Sequence, residues 1–548
     1  MSDRPPIPGA HLKDHHGTSR GGGGADLLSP GEQAPAERRK THRVRWTGLV
    51  AGLALSLSVY AVLPADLAHP AKLTAATAVL MGVWWMTEAI PIPATALLPL
   101  IIFPVLGEDV AVDDVGASYG SNIIFLFMGG FLLALAMQRW NLHRRIALRT
   151  VRVMGTKPTR MVAGFMVATA FLSMWVSNTA TAVMMLPIGV SVLLLLPNLL
   201  GASGPGSDSA EEGALHDAEL EGADPQSAEA KEAVIASDFG TALMLGIAYA
   251  ASIGSLSTII GTPPNTLMVG YLQEAHGITV GFGQWMLVGV PLSVVMLGIA
   301  WFLLTKVLFR PEIDEIPGGR KLIDGELRKL GPMSTGEKLV LAVFVLAALS
   351  WVLVPVLFED PPISDAGIAM VVGLLLFLLP AGARRGVRLL DWETAVKLPW
   401  GVLLLFGGGL ALSSQFSSSG LTDWIGEGAT ALGTVPVVLL VAILAAGILF
   451  LTELTSNTAT AATFLPVSGG VALGLGLDPM LLAVPVALAA TCAFMLPVAT
   501  PPNAIAFGSG YVTIGQMLRG GLWLNLIGIA LITLVTTTLA TWVFSIVY

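Results

Sequence analysis

Charge is scarce in this sequence. Only 12% of its 548 residues are Asp, Glu, Lys or Arg, and mean hydropathy is +0.76. A soluble globular domain carries about 25% charged residues. The deficit argues against a water-soluble enzyme, a nucleic-acid binder and a disordered scaffold. Cysteine is almost absent too. The single Cys492 excludes a disulfide framework and a cysteine-based metal cluster. Lying in AATCAFMLPV, it reads as a packed small residue. The histidines show no ligand spacing. His11, His15, His16 and His42 lie near the N-terminus, and His69, His143, His216 and His276 are isolated. No nucleophile triad, phosphate loop or zinc motif is present, so the chain reads as a non-enzyme. What is abundant is apolar: 54% of residues are hydrophobic, in long runs separated by short polar loops. That pattern predicts an all-α polytopic membrane protein.

Residues 1–43 read as a disordered tail, with GGGG at 21–24, several prolines and no apolar periodicity. No cleavable signal peptide is expected in it. Beyond it, several apolar runs are too long or too broken for one helix. The runs 161–200 and 433–470 are interrupted by Ser-Asn-Thr, and 239–272 and 478–512 by Pro-Pro-Asn. A spanning helix needs about 20 residues. The first pair suits re-entrant hairpins and the second pair suits discontinuous helices, whose exposed backbone must line a cavity or be buried in protein. The segment 202–237 is acidic, carrying Lys231 as its one basic residue, and reads as a solvated cytoplasmic loop.

Basic residues set the orientation. Clusters occur at 38–45, 139–160, 306–338 and 384–397, whereas the intervening loops (GEDVAVDD, QEAHGITV, FEDPPISD, SSSGLTDWIGEG) hold no Lys or Arg. With the two hairpins returning to their own side, every cluster falls on one face, and Lys72 is the exception among loop residues. The expectation is a cytoplasmic N-terminus, roughly eleven crossings and an outside C-terminus in a cell membrane.

The two halves resemble each other. MWVSNTATAVMMLPIG at 174–189 matches ELTSNTATAATFLPVSG at 453–469. IIGTPPNTL at 259–267 matches PVATPPNAI at 497–505, and IIFLFMGGFLLALA at 123–136 matches VLLLFGGGLALSS at 402–414. The first hairpin follows a basic inside loop and the second an outside loop, so the repeats are inverted. We divide the chain into a first repeat over 44–310, a cytoplasmic linker over 311–337 and a second repeat over 338–548.

Three consecutive hydrogen-bonding side chains at membrane depth are costly unless they bind something. At a hairpin tip, the free N–H groups of the next helix face them. Hydroxyls, the Asn amide oxygen and freed carbonyls suit Na⁺, and hydroxyl and amide N–H groups suit a carboxylate. In GTPPN and ATPPN, Pro unwinds the helix and frees the carbonyls of Gly261 and Ala499. Thr262 and Thr500 stand beside them. Neither half-site contains Lys, Arg or His. A dianion held there needs bound cations to neutralise it. Glu453, where the first repeat has Met174, reads either as a structural acceptor or as a charge tuning the second cation site. The Gly129-Gly130 and Gly407-Gly408-Gly409 runs read as close helix approaches.

The paired SNT and PPN motifs, with WWMTEAIPIPATALLP at 84–99, resemble the divalent anion/sodium symporter family over nearly the whole chain from about residue 45. The tail and the acidic insert are departures that leave the motifs intact. The resemblance implies a homodimer in which a scaffold domain holds the interface and a mobile domain carries both hairpins and both broken helices as an elevator. It implies at least two Na⁺ sites, one at Ser173, Ser177, Asn178 and Gly261 and one at Thr452, Thr455, Asn457 and Ala499. It places substrate carboxylates at Asn178, Thr179, Asn457 and Thr458, with Thr262 and Thr500 nearby. The expected function is Na⁺-coupled uptake of C4-dicarboxylates such as succinate, fumarate and malate. The alternatives are an anion exchanger, a symporter of citrate or sulfate, and, in another class, an ion channel.

Overall fold

The computed structural model describes residues 39–193, 237–311, 315–316, 318–358 and 361–547. Residues 1–38 of the expected tail and 202–236 of the acidic loop lie outside them. Among the described residues the fold is helical, with one isolated bridge between Pro380 and Arg388.

The first half opens with α1 (Arg39–Val62), so residues 39–43, assigned to the tail by composition, belong to a helix. Next comes α2 (His69–Thr87), which ends at Glu88 in the left-handed conformation (φ 48°). The apolar run expected at 93–106 is split into α3 (Ile92–Thr95) and α4 (Pro99–Leu106), with prolines in the first turns of both. A short α5 (Val112–Ala117) leads into α6 (Asn122–Arg139). Asn141 (φ 55°) then turns the chain into α7 (Leu142–Met154). In α7, Leu142, Arg145, Leu148 and Val151 recur every third residue and are buried, while Arg149 faces outward.

The first hairpin is α8 (Pro158–Ser173) and α9 (Asn178–Leu193), each of 16 residues. At 1.5 Å per residue α8 is about 24 Å long, short of the ~30 Å hydrocarbon core, so it does not cross alone. The first broken helix is α10 (Asp238–Ser255) and α11 (Pro263–His276), and α12 (Phe282–Phe302) completes the half. The expected linker holds α13 (Gly319–Lys329).

The second half repeats the plan after α14 (Thr335–Leu357), α15 (Asp365–Leu378) and the short α16 (Trp392–Ala395). Helix α17 (Trp400–Ser418) corresponds to α6, and Gly420 (φ 76°) turns it into the amphipathic α18 (Leu421–Ala429) where Asn141 does so in the first half. The second hairpin is α19 (Val437–Thr452) and α20 (Asn457–Gly474). The second broken helix is α21 (Met480–Thr491) and α22 (Pro501–Gly508). Helix α23 (Ile514–Val535) and a last turn, α24 (Thr541–Phe544), end the chain.

Six helical stretches among the described residues are long and apolar enough to cross a membrane unaided. The two broken helices sit at the centre instead. From Phe239 to Ser255 every residue of α10 is buried, as is every residue of α21. An α-helix apolar all round must be wrapped by protein or lipid. Outside, large apolar side chains such as Leu57, Val62, Val356 and Trp542 are exposed, a surface that lipid rather than water would cover. The glycine triplet does bring helices close, since a Cβ on Gly408 would overlap the Ala96 carbonyl.

One polar lock ties the two halves together at the basic end. Arg145 of α7 donates from Nε and Nη2 to Glu337 of α14 (2.7 and 3.1 Å) and from Nη1 and Nη2 to the carbonyls of Gly331 and Leu330 (2.9 and 3.2 Å). Glu337 also closes a capping box with Ser334. Both side chains of the pair are 5% exposed. Removing one partner of a buried pair costs about 3–5 kcal/mol. Arg145→Ala is therefore expected to lower the thermal unfolding midpoint of the purified protein clearly, and Arg149→Ala, on the exposed face of the same helix, to leave it unchanged.

Candidate functional site

The two hairpin tips are built from helix ends. Helix α8 stops at Ser173, and α9 restarts at Asn178 with Ser177 as its cap, whose Oγ accepts from Ala180 N (3.2 Å). Asn178 Oδ1 accepts from Thr179 N (2.9 Å). In the second tip, Thr455 Oγ1 lies 2.7 Å from Thr460 Oγ1 and 3.0 Å from the Leu451 carbonyl. The tips share a sequence but differ in detail.

The two breaks are closer copies. Thr262 (φ −143°, ψ 142°) and Thr500 (φ −139°, ψ 149°) precede the Pro-Pro turns in nearly the same extended conformation. Asn265 then reaches back with Nδ2 to the carbonyls of Thr258 and Leu256 (2.9 and 3.3 Å). Asn503 does the same to Leu496 and Ala493 (both 3.2 Å). Unwound backbone inside protein must be satisfied, and these two amides do much of it. Both are fully buried, and the Oδ1 atom of each meets no hydrogen-bond donor. A buried oxygen left without a donor is chemically suited to a hard cation. Neither Asn265 nor Asn503 is among the residues expected at the site, although the Asn at the third place of each duplicated Pro-Pro-Asn is the signal that marks them. Gly261 lies in the first break, where a Cβ would overlap the Ser255 carbonyl.

Tips and breaks converge. Ser177, Asn178, Thr179, Gly261 and Thr262 line one cavity of about 1070 Å³ together with Thr455, Asn457, Thr458, Ala499 and Thr500. Thr262 Oγ1 also lies 3.3 Å from Thr491 Oγ1, joining one broken helix to the other. Two expected cation ligands stand apart. Ser173 and Thr452 are fully buried behind the tips and do not line the cavity. Ser173 Oγ donates to the Ala251 carbonyl (2.5 Å), and Thr452 Oγ1 reaches the Ala490 carbonyl (3.0 Å) and Asn457 Oδ1 (2.9 Å). They pin each hairpin to its neighbouring broken helix.

The charged side chains lining this cavity are Arg45, Glu88 and Lys397, and none belongs to a tip or a break. The histidines serve elsewhere: His69 bridges Tyr60 and the Leu106 carbonyl, and His276 bonds Tyr271. No cluster of three metal-ligating His, Cys, Asp or Glu occurs among the described residues.

Glu453 shows where the two halves diverge. Its carboxylate accepts from three consecutive backbone N–H groups, Phe494 and Met495 on Oε1 (2.8 and 2.9 Å) and Leu496 on Oε2 (3.0 Å). Asn525 Nδ2 adds a fourth bond (2.6 Å). The first half places Met174 here, and Thr258 donates to its carbonyl (2.5 Å). Glu453 is buried, does not line the cavity, and holds the unwound segment 492–499. The structure thus places it as an acceptor for backbone. Each buried N–H left unpaired costs about 1–3 kcal/mol. The lone, fully buried Cys492 reports on this segment. Glu453→Ala is expected to speed its reaction with a maleimide at least tenfold, and a rate equal to wild type would remove the staple role.

The description "Sodium:sulfate symporter transmembrane region" matches residues 43–546. The sodium-dependent dicarboxylate transporter SdcS of Staphylococcus saprophyticus is 43% identical over 495 residues, 89% of this chain and 90% of that one. SdcS of Staphylococcus aureus (strain USA300) is 43% identical over 494 residues, with the same coverage. The crystal structure of the Alcanivorax borkumensis YdaH transporter shares the fold with a TM-score of 0.51, at 14% identity over 86% of this chain and 98% of that one. The relatives are transporters, and this chain belongs to the sodium:sulfate symporter family.

Proposed function

We propose that this chain is a Na⁺-coupled symporter of C4-dicarboxylates, importing one dianion with at least two sodium ions. The observation that carries the reading is the convergence of two SNT tips and two Pro-Pro breaks on one cavity with no fixed cation among them. Carboxylates would meet the N-terminal turns of α9 and α20 through Asn178, Thr179, Asn457 and Thr458, with the hydroxyls of Thr262 and Thr500 beside them. The sodium ions are cargo. One would take oxygens of Ser177, Asn178 and Gly261, and the other those of Thr455, Asn457 and Ala499. Ser173 would complete the first set and Thr452 the second, each from behind its tip. Bound sodium supplies the positive charge that the protein withholds. Dicarboxylate is favoured over sulfate by the names of the 43%-identical relatives.

The inverted repeat supports alternating access in which the hairpins and broken helices move together against the remaining helices, as an elevator within a homodimer. The basic clusters support a cytoplasmic N-terminus, an outside C-terminus and roughly eleven crossings.

Uptake of radiolabelled succinate into proteoliposomes tests this. An inward Na⁺ gradient is expected to drive accumulation, and an equal K⁺ gradient to give none. Uptake that ignores Na⁺ and needs succinate inside would make the chain an exchanger. Asn178→Ala and Asn457→Ala are each expected to abolish uptake in folded protein, and wild-type rates in either would remove the site assignment.

A further inference from the structure

The deep site holds no fixed positive charge, and that governs how an anion leaves it. When sodium dissociates into a sodium-poor compartment, the dianion loses its counter-ions. Helix N-termini and amides offer only partial charge. The next full positive charges along the same cavity are those of Arg45 and Lys397. Arg45 lies in the second turn of α1, and Lys397 lies between α16 and α17. Both belong to the basic clusters that mark the cytoplasmic end. Gln138, next to Arg139 at the end of α6, lines the cavity as well. Arg45 is half-buried and Lys397 is exposed. No ion pair among the described residues includes Lys397.

We propose that Arg45 and Lys397 form a second, shallow anion subsite at the cytoplasmic mouth, which holds the dicarboxylate between the hairpin tips and the cytoplasm. The subsite rests on the Na⁺-symport reading and adds a station to it. Glu88 lines the same cavity and offsets part of the charge, which keeps the station weak enough to release its anion. Cations at a cavity mouth raise the local anion concentration and the rate of entry. Because these charges reach water, salt screens them over about 10 Å at 0.1 M. The deep, water-poor contacts are screened much less.

Sided membrane vesicles test the subsite, with equal Na⁺ on both faces and labelled succinate as the probe. In everted vesicles, which present the cytoplasmic mouth, the double variant Arg45→Gln/Lys397→Gln is expected to raise half-saturating succinate about 3–10-fold. Lys397→Arg is expected to keep the wild-type value. Added choline chloride is expected to raise half-saturation for the wild type and to leave that of the double variant flat, a response that a merely structural role would not produce. A double variant with wild-type half-saturation and salt response overturns the proposal. If the double variant is inactive from both faces, Lys397→Gln alone carries the same comparison. Right-side-out vesicles separate the two levels of the account. Without Na⁺-dependent uptake by the wild type there, symport and mouth subsite fall together. With such uptake and a flat comparison in everted vesicles, the mouth subsite alone falls.

Discussion

A helix interrupted inside a membrane leaves N–H and C=O groups that no water can satisfy. The rest of this structure follows from how those groups are met. Asn265 and Asn503 satisfy carbonyls in the two breaks, and Glu453 satisfies three N–H groups in the second. Ser173 and Thr452 bind carbonyls of α10 and α21, which fixes each hairpin against its broken helix. What remains open after this internal pairing is small and directed: a few hydroxyls, amide oxygens and helix N-termini around one cavity. Helices α10, buried from Phe239 to Ser255, and α21 stand behind the tips and breaks as the packed support of that cavity.

The half-sites are copies in backbone and differ in chemistry. The Thr262 and Thr500 conformations agree within a few degrees. Yet the first tip is tied through the Met174 carbonyl and the second through a buried carboxylate. The two breaks thus keep equivalent geometry without equivalent bonding. The carboxyl group of Glu453 is turned to backbone N–H groups and does not line the cavity.

Much of this was legible in the sequence because duplication marks it. SNTATA and TPPN recur in order, and the structure brings seven of their expected residues, with Gly261, Thr455 and Ala499 beside them, to one cavity. The parts that were not legible depend on distant partners. Glu453 stands out as a lone carboxylate in an apolar run, but its acceptor role needs Phe494 to Leu496, some forty residues on. Ser173 and Thr452 fall in the right motifs, yet only packing shows that they point away from the cavity towards Ala251 and Ala490. The helical state of residues 39–43 was hidden because a basic stretch that follows a proline- and glycine-rich one reads as tail by composition. Apolar run length also hid the split of α3 from α4, where the prolines set the turn.

On the proposed reading, the anion site is incomplete without sodium. Equilibrium binding of labelled succinate to the purified protein tests it most directly. If sodium supplies the missing charge, replacing K⁺ by Na⁺ raises succinate affinity by about 5–150-fold, and saturating succinate raises the overall binding constant for the sodium ions by the same factor. Equal succinate affinity in K⁺ and Na⁺ would contradict the account.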